Sequence, residues 1–95
     1  MTRTQPNILV IQADQLGAPL LSSYGGKAKT PNLDDLATTG TVFQNCYCNY
    51  PLCGPSRGSM LTGKIASKVG VYDNAAELPV SEPTFAHFLR YAGYR

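Results

Sequence analysis

Long apolar runs are missing from this sequence. Near the N-terminus only four strongly apolar residues stand together, Ile8 to Ile11. A secretory core takes about seven such residues and a membrane span about 20, so neither a signal peptide nor a membrane partner is expected. Charge of one sign is scarce as well. Eight basic and six acidic residues leave a net charge of +2, and no basic stripe interleaved with aromatics appears, which argues against a nucleic acid partner. Cysteine is sparse and odd in number, with Cys46, Cys48 and Cys53. In a chain without a secretion signal that count argues against a disulfide framework and for a reduced, cytoplasmic setting. The Cys46-x-Cys48 pair has no second ligand pair, so it does not make a zinc site. There is no internal repeat and no low-complexity tract. What remains suits a globular protein of at most one domain: 95 residues, 43% of them hydrophobic and 15% charged.

The stretch PNILVIQAD predicts a buried strand, because Ile8 to Ile11 run continuously instead of alternating. Pro6 at its start does least harm to a ladder. TPNLDDLATTG predicts a helix: Thr30 as cap, Pro31 in the first turn, Asp34 and Asp35 at the positive end, Gly40 as terminator, and Leu33, Leu36 and Ala37 on one apolar face. TVFQNCY reads as a short strand. KIASKVGVYDNAAELPVSEP reads as a polar loop. SEPTFAHFLRYAGYR predicts a final helix, capped by Ser81 or Thr84, with Phe85, Phe88, Leu89 and Ala92 facing inward and Gly93 at its end. His87, in the middle of that helix, reads as structural. This order of elements points to an α/β fold. The inventory is incomplete, since one short second strand cannot cover both edges of residues 8–11. The expectation is therefore the front part of a larger domain.

YPLCGPSRGSMLTG, residues 50–63, carries the chemistry. Pro55 suits the first position of a helix and Gly63 its end, so residues 56–62 should form about two turns. Cys53 would then sit just before a helix N-terminus, where free N–H groups and the helix dipole favour anions. Arg57 would fold back over the same end. Such a place suits an anionic ester beside a reactive sulfur-bearing residue. A small cysteine packed at a Pro-Gly turn reads equally well from these residues alone.

The run C-G-P-S-R followed by Leu61-Thr62-Gly63 resembles the signature of the formylglycine-dependent sulfatases. N-I-L-V-I-x-A-D resembles the opening of that family, T-P-N-L-D-D-L-A-T-T-G its first helix, and P-T-F-A-H-F-L-R-Y-A-G-Y the helix after the signature. The likeness covers almost the whole chain, in family order. It implies the N-terminal portion of a single catalytic domain with the alkaline phosphatase-like fold, a mixed sheet sandwiched between helices.

The resemblance also implies roles. Cys53 would be oxidised after synthesis to formylglycine by a formylglycine-generating enzyme, and the hydrated aldehyde would be the nucleophile. Asp14 would bind Ca²⁺ or Mg²⁺, hard cations that take oxygen ligands, at the carboxyl end of a strand. Residue 53 would share that metal. Gln15 would give its amide oxygen to the metal or its amide to sulfate, or else be a plain loop residue. Arg57 would hold the nucleophile by charge-assisted hydrogen bonds, and Asn74 would donate to a sulfate oxygen. The bland alternatives are a surface helix arginine and an Asp-Asn turn. A Lys and His pair, further metal ligands and a leaving-group acid belong to family segments that have no counterpart here. The Asp14-Gln15 opening and Tyr72-Asp73-Asn74-Ala75-Ala76-Glu77 look like the choline sulfatases, which implies a small sulfate ester, choline-O-sulfate, as substrate and a homo-oligomer at full length. Phosphonate monoester hydrolases share the Asp-Gln opening, so hydrolysis of phosphonate or phosphate esters is the alternative, and a non-catalytic remnant is another.

Overall fold

The structure is a computed structural model that describes residues 5–95. The chain divides into two compact units, one reaching to Gln44 and the other spanning Asn45–Arg95.

In the first unit, two single-turn 3-10 helices, Ala18–Leu20 and Ser22–Tyr24, lead to helix α1, Pro31–Thr39. Pro31 opens α1 as its sequence position predicts, since its missing N–H would be unpaired there anyway. Thr30 stands at the N-cap, but its hydroxyl makes no bond to the helix backbone. It lies 2.6 Å from Ser22 Oγ, and that hydroxyl donates to the Asp34 carboxylate at 2.6 and 2.7 Å. The side chains that should cap α1 instead tie it to the second 3-10 turn. Tyr24 Oη closes the unit by donating to the Phe43 carbonyl at 2.9 Å.

Neither expected strand is present among the described residues, whose only β feature is an isolated bridge between Leu21 and Ala28. Leu9 and Ile11 are 84% and 80% exposed. The physical reason is the incomplete inventory itself: a strand apolar on both faces is stable only between neighbouring strands and under covering helices. Leu33 and Leu36 of α1 are exposed too, and of the apolar face predicted for this helix only Ala37 is half-buried.

The second unit holds α2, Cys53–Thr62; α3, Ala66–Val69; and α4, Phe85–Tyr91. Its core lies where the sequence reads as a polar loop. Ala66, Val69 and Val71 are buried, together with Pro55, Gly58 and Ser59 of α2. Spaced at i and i+3, Ala66 and Val69 share one face of α3. Gly63, with φ 69°, ends α2 in the left-handed conformation that an L side chain resists, and so folds α3 back onto α2. Helix α4 also packs against α2, and Lys64 Nζ reaches Glu82 Oε2 at 2.5 Å between them. Phe85 and Phe88, expected to face inward, are exposed, and Leu89 is half-buried. The sheet they would cover is not formed by the described residues.

Candidate active site

Helix α2 begins earlier than the spacing predicts. Cys53 is its first residue, not the residue before it, and Pro55 is the third. Proline is tolerated there because none of the first four N–H groups of a helix has an intrahelical acceptor. Leu52, in extended conformation, is the N-cap, and its carbonyl accepts the first helical bond from Ser56 N at 3.0 Å. Pro55 is fully buried, whereas Cys53 and Arg57 are exposed. The buried proline roots the turn, and Cys53 and Arg57, four residues apart, share one face of α2.

The helix start is not the open anion cradle the sequence suggests. Of its first three residues, Gly54 commits its N–H to Asn74 Oδ1 at 2.7 Å, and Pro55 has no N–H. Asn74 is exposed and reaches α2 from a turn that Asp73 organises: Asp73 Oδ1 accepts the N–H groups of Ala75 and Ala76 at 2.9 and 2.8 Å. The same turn is anchored by buried Val71 and by Tyr72 Oη, which donates to the Ser67 carbonyl at 3.3 Å.

Asp14 and Gln15 belong to the first unit and form an exposed turn. Gln15, with φ 54°, is the sole non-glycine residue with positive φ among those described. Strained backbone of this kind concentrates at functional sites. The carboxylate and amide oxygens of the pair match the hard-cation donor set. No group of three or more His, Cys, Asp or Glu side chains able to hold a metal occurs among the described residues, so this stretch carries at most part of a ligand set.

The structure thus joins Asn74 to the helix that starts with Cys53 and carries Arg57. Two contributors escape the sequence reading, Gly54 and Asp73. The signal for Asp73 lay in D-N-A-A, an aspartate able to cap its own turn. Gly54 offered no signal, because its importance comes from a loop twenty residues away. A pocket of about 380 Å³ lined by Ser22, Lys27, Lys29, Thr30 and Asp34 contains none of the predicted site residues. Cys46, Cys48 and Cys53 are all free and exposed, and no helix among the described residues is long and apolar enough to cross a membrane.

The family model described as Sulfatase matches residues 6–95. The chain belongs to the sulfatase family. Among sulfatase relatives, the choline-sulfatase of Rhizobium meliloti (strain 1021) is 47% identical over 97 residues, covering 99% of this chain and 19% of the relative. The N-acetylglucosamine-6-O-sulfatase of Bacteroides thetaiotaomicron is 40% identical over 92 residues, 96% of this chain and 16% of that protein. Bovine (Bos taurus) arylsulfatase A is 44% identical over 96 residues, 94% of this chain and 19% of that protein. This sulfatase chain therefore spans less than a fifth of the length of these curated relatives. No solved structure gives a significant match.

Proposed function

We propose that these residues form the N-terminal portion of a single sulfatase catalytic domain that hydrolyses sulfuric esters with residue 53 as nucleophile. The observation that carries the reading is the seat of Cys53. It is the exposed first residue of a helix rooted by buried Pro55, with Arg57 on the same face. Within the family this arrangement fits a cysteine oxidised to formylglycine by a dedicated generating enzyme, which would supply the hydrated aldehyde as nucleophile. The fold of the whole domain would be the alkaline phosphatase-like mixed sheet between helices. Residues 8–11 would contribute one of its strands, and their exposed apolar side chains support that.

Each residue then has a task its chemistry supports. The Arg57 guanidinium steadies negative charge on the nucleophile by charge-assisted hydrogen bonds. Asn74, with its oxygen engaged on Gly54, still has both N–H donors to offer, which suits a sulfate oxygen. Asp14 and Gln15 would hold Ca²⁺ or Mg²⁺ through oxygen atoms, and the metal would supply electrostatic stabilisation of the sulfate charge. The free cysteines suit a cytoplasmic setting.

For the substrate we propose choline-O-sulfate. The reading is supported by the 47% identical relative named choline-sulfatase and by the Tyr72–Glu77 turn beside Gly54. Two measurements on the full-length protein test these proposals. An aldehyde-specific probe should tag the tryptic peptide containing residue 53, and an alkylatable thiol in active enzyme would overturn the nucleophile assignment. Choline-O-sulfate should be hydrolysed with higher kcat/KM than phosphonate monoesters. The reverse preference would overturn the substrate and leave the nucleophile standing.

A further inference from the structure

Gly54 is held from two sides. Its N–H donates to Asn74 Oδ1 at 2.7 Å. A Cβ placed on it would lie 3.0 Å from the Asp73 carbonyl oxygen, 3.1 Å from Asn74 Oδ1 and 3.3 Å from Asn74 Cα. The residue between the nucleophile and the buried proline is thus in close contact with backbone that has little freedom to retreat. Val71, just before that turn, is buried against Gly58 of the same helix, and Asp73 Oδ1 bonds the next two free N–H groups. The turn is braced before it touches α2.

The bond also fills a gap. A helix normally takes a side-chain acceptor for its second or third N–H from the N-cap residue. Here the N-cap is Leu52, whose side chain has no acceptor. Asn74 supplies the missing oxygen from twenty residues away. The amide orientation is chemically fixed, because a backbone N–H can only donate and so must face oxygen.

We infer that Asn74 and Gly54 form a clasp that sets the first turn of α2 and so fixes the direction in which residue 53 leaves the helix. Asn74 is on this view a positioning residue in addition to any contact with sulfate. A side chain at position 54 would press on the 73–74 turn and require it to shift away from the helix. The inference rests on the proposed role of residue 53 as nucleophile, but the clasp can be read without any substrate.

The test uses the full-length protein and three variants, Asn74→Ala, Asn74→Asp and Gly54→Ala, with hydrogen–deuterium exchange of the peptide carrying Gly54 measured beside steady-state kinetics. Losing a helix cap should speed exchange of the Gly54 amide about five- to tenfold in Asn74→Ala. Asn74→Asp keeps the acceptor and should restore slow exchange, although it removes the N–H donors. Gly54→Ala favours the helix by intrinsic propensity, so a purely structural role predicts gain. The clasp predicts instead that kcat falls about tenfold while KM stays near its original value. Unchanged exchange in Asn74→Ala would overturn the clasp. So would a Gly54→Ala enzyme with full kcat. A wild-type protein inactive on sulfate esters would overturn the proposed function alone, since exchange in the three variants would still decide the clasp.

Discussion

His87 Nδ1 accepts the backbone N–H of Thr84 at 3.1 Å and lies 2.8 Å from Thr84 Oγ1. The imidazole therefore takes the part that Glu or Gln plays in an ordinary capping box, reaching back from the third helical position to the N-cap. This gives the one histidine of the chain a structural task, as its mid-helix place in the sequence suggests. His87→Ala in the full-length protein should lower stability by about 0.5–2 kcal/mol, read as a lower Tm. His87→Gln should recover most of the loss, and kcat should move in neither. A kcat that falls while Tm holds would make His87 part of the chemistry instead.

Asp14 and Gln15 are expected to separate binding from folding. Asp14→Ala should remove bound divalent metal and most activity with little change in Tm, because the turn is exposed. Gln15→Gly should be neutral or stabilising for the backbone, since glycine accepts the positive φ of 54° without strain. Its activity should nevertheless fall, because the amide is lost. Metal content by elemental analysis and Tm on the same samples check both. Full turnover in Gln15→Gly would reduce Gln15 to a turn residue.

Two neighbouring core changes should have opposite signs. Val71 is 3% exposed and packs on Gly58, so Val71→Ala should cost about 1.5–3 kcal/mol. Ser59 Oγ is buried with no hydrogen-bond partner among the described residues. An unmet hydroxyl costs about 1–3 kcal/mol, and alanine is the better helix former, so Ser59→Ala should raise Tm. A fall in Tm would show that a segment outside these residues satisfies the hydroxyl.

Expressed alone, the 95 residues should fail to behave as a cooperative monomer. Ordering a residue costs about 1.5 kcal/mol, and the buried apolar side chains here are few. Ile8 to Ile11 are exposed in sequence, which is the composition of an aggregating segment. Sedimentation and a thermal melt check this. A sharp melt from a soluble monomer would contradict it.

The sequence discloses the parts of this chain that depend on local rules. Helix α1 begins at Pro31 and ends before Gly40, α4 is capped by Thr84, and Gly63 stops α2, all as residue type dictates. The expected strands do not appear because their stability is borrowed from partners that the described residues do not include. The loop that turns out to be core misled because its apolar residues are few and interspersed with lysines. Three small side chains, Ala66, Val69 and Val71, sufficed against a helix with Gly58 at the contact. In the candidate site, the shared helix of Cys53 and Arg57 was legible from one motif. The Asn74 bond to Gly54 was not, since no local rule links residues so far apart.

The buried cluster that joins Pro55 and Gly58 to Val71 is built within a short length of chain. Closing a loop of this size loses little entropy, and contacts of small sequence separation form sooner than sheets assembled from distant strands. The helix that starts with Cys53 and its bracing turn are therefore the natural early nucleus of this region. Pulsed hydrogen exchange during refolding of the full-length protein would find residues 53–71 protected before residues 8–11, and mutations at Val71 would slow folding more than they speed unfolding.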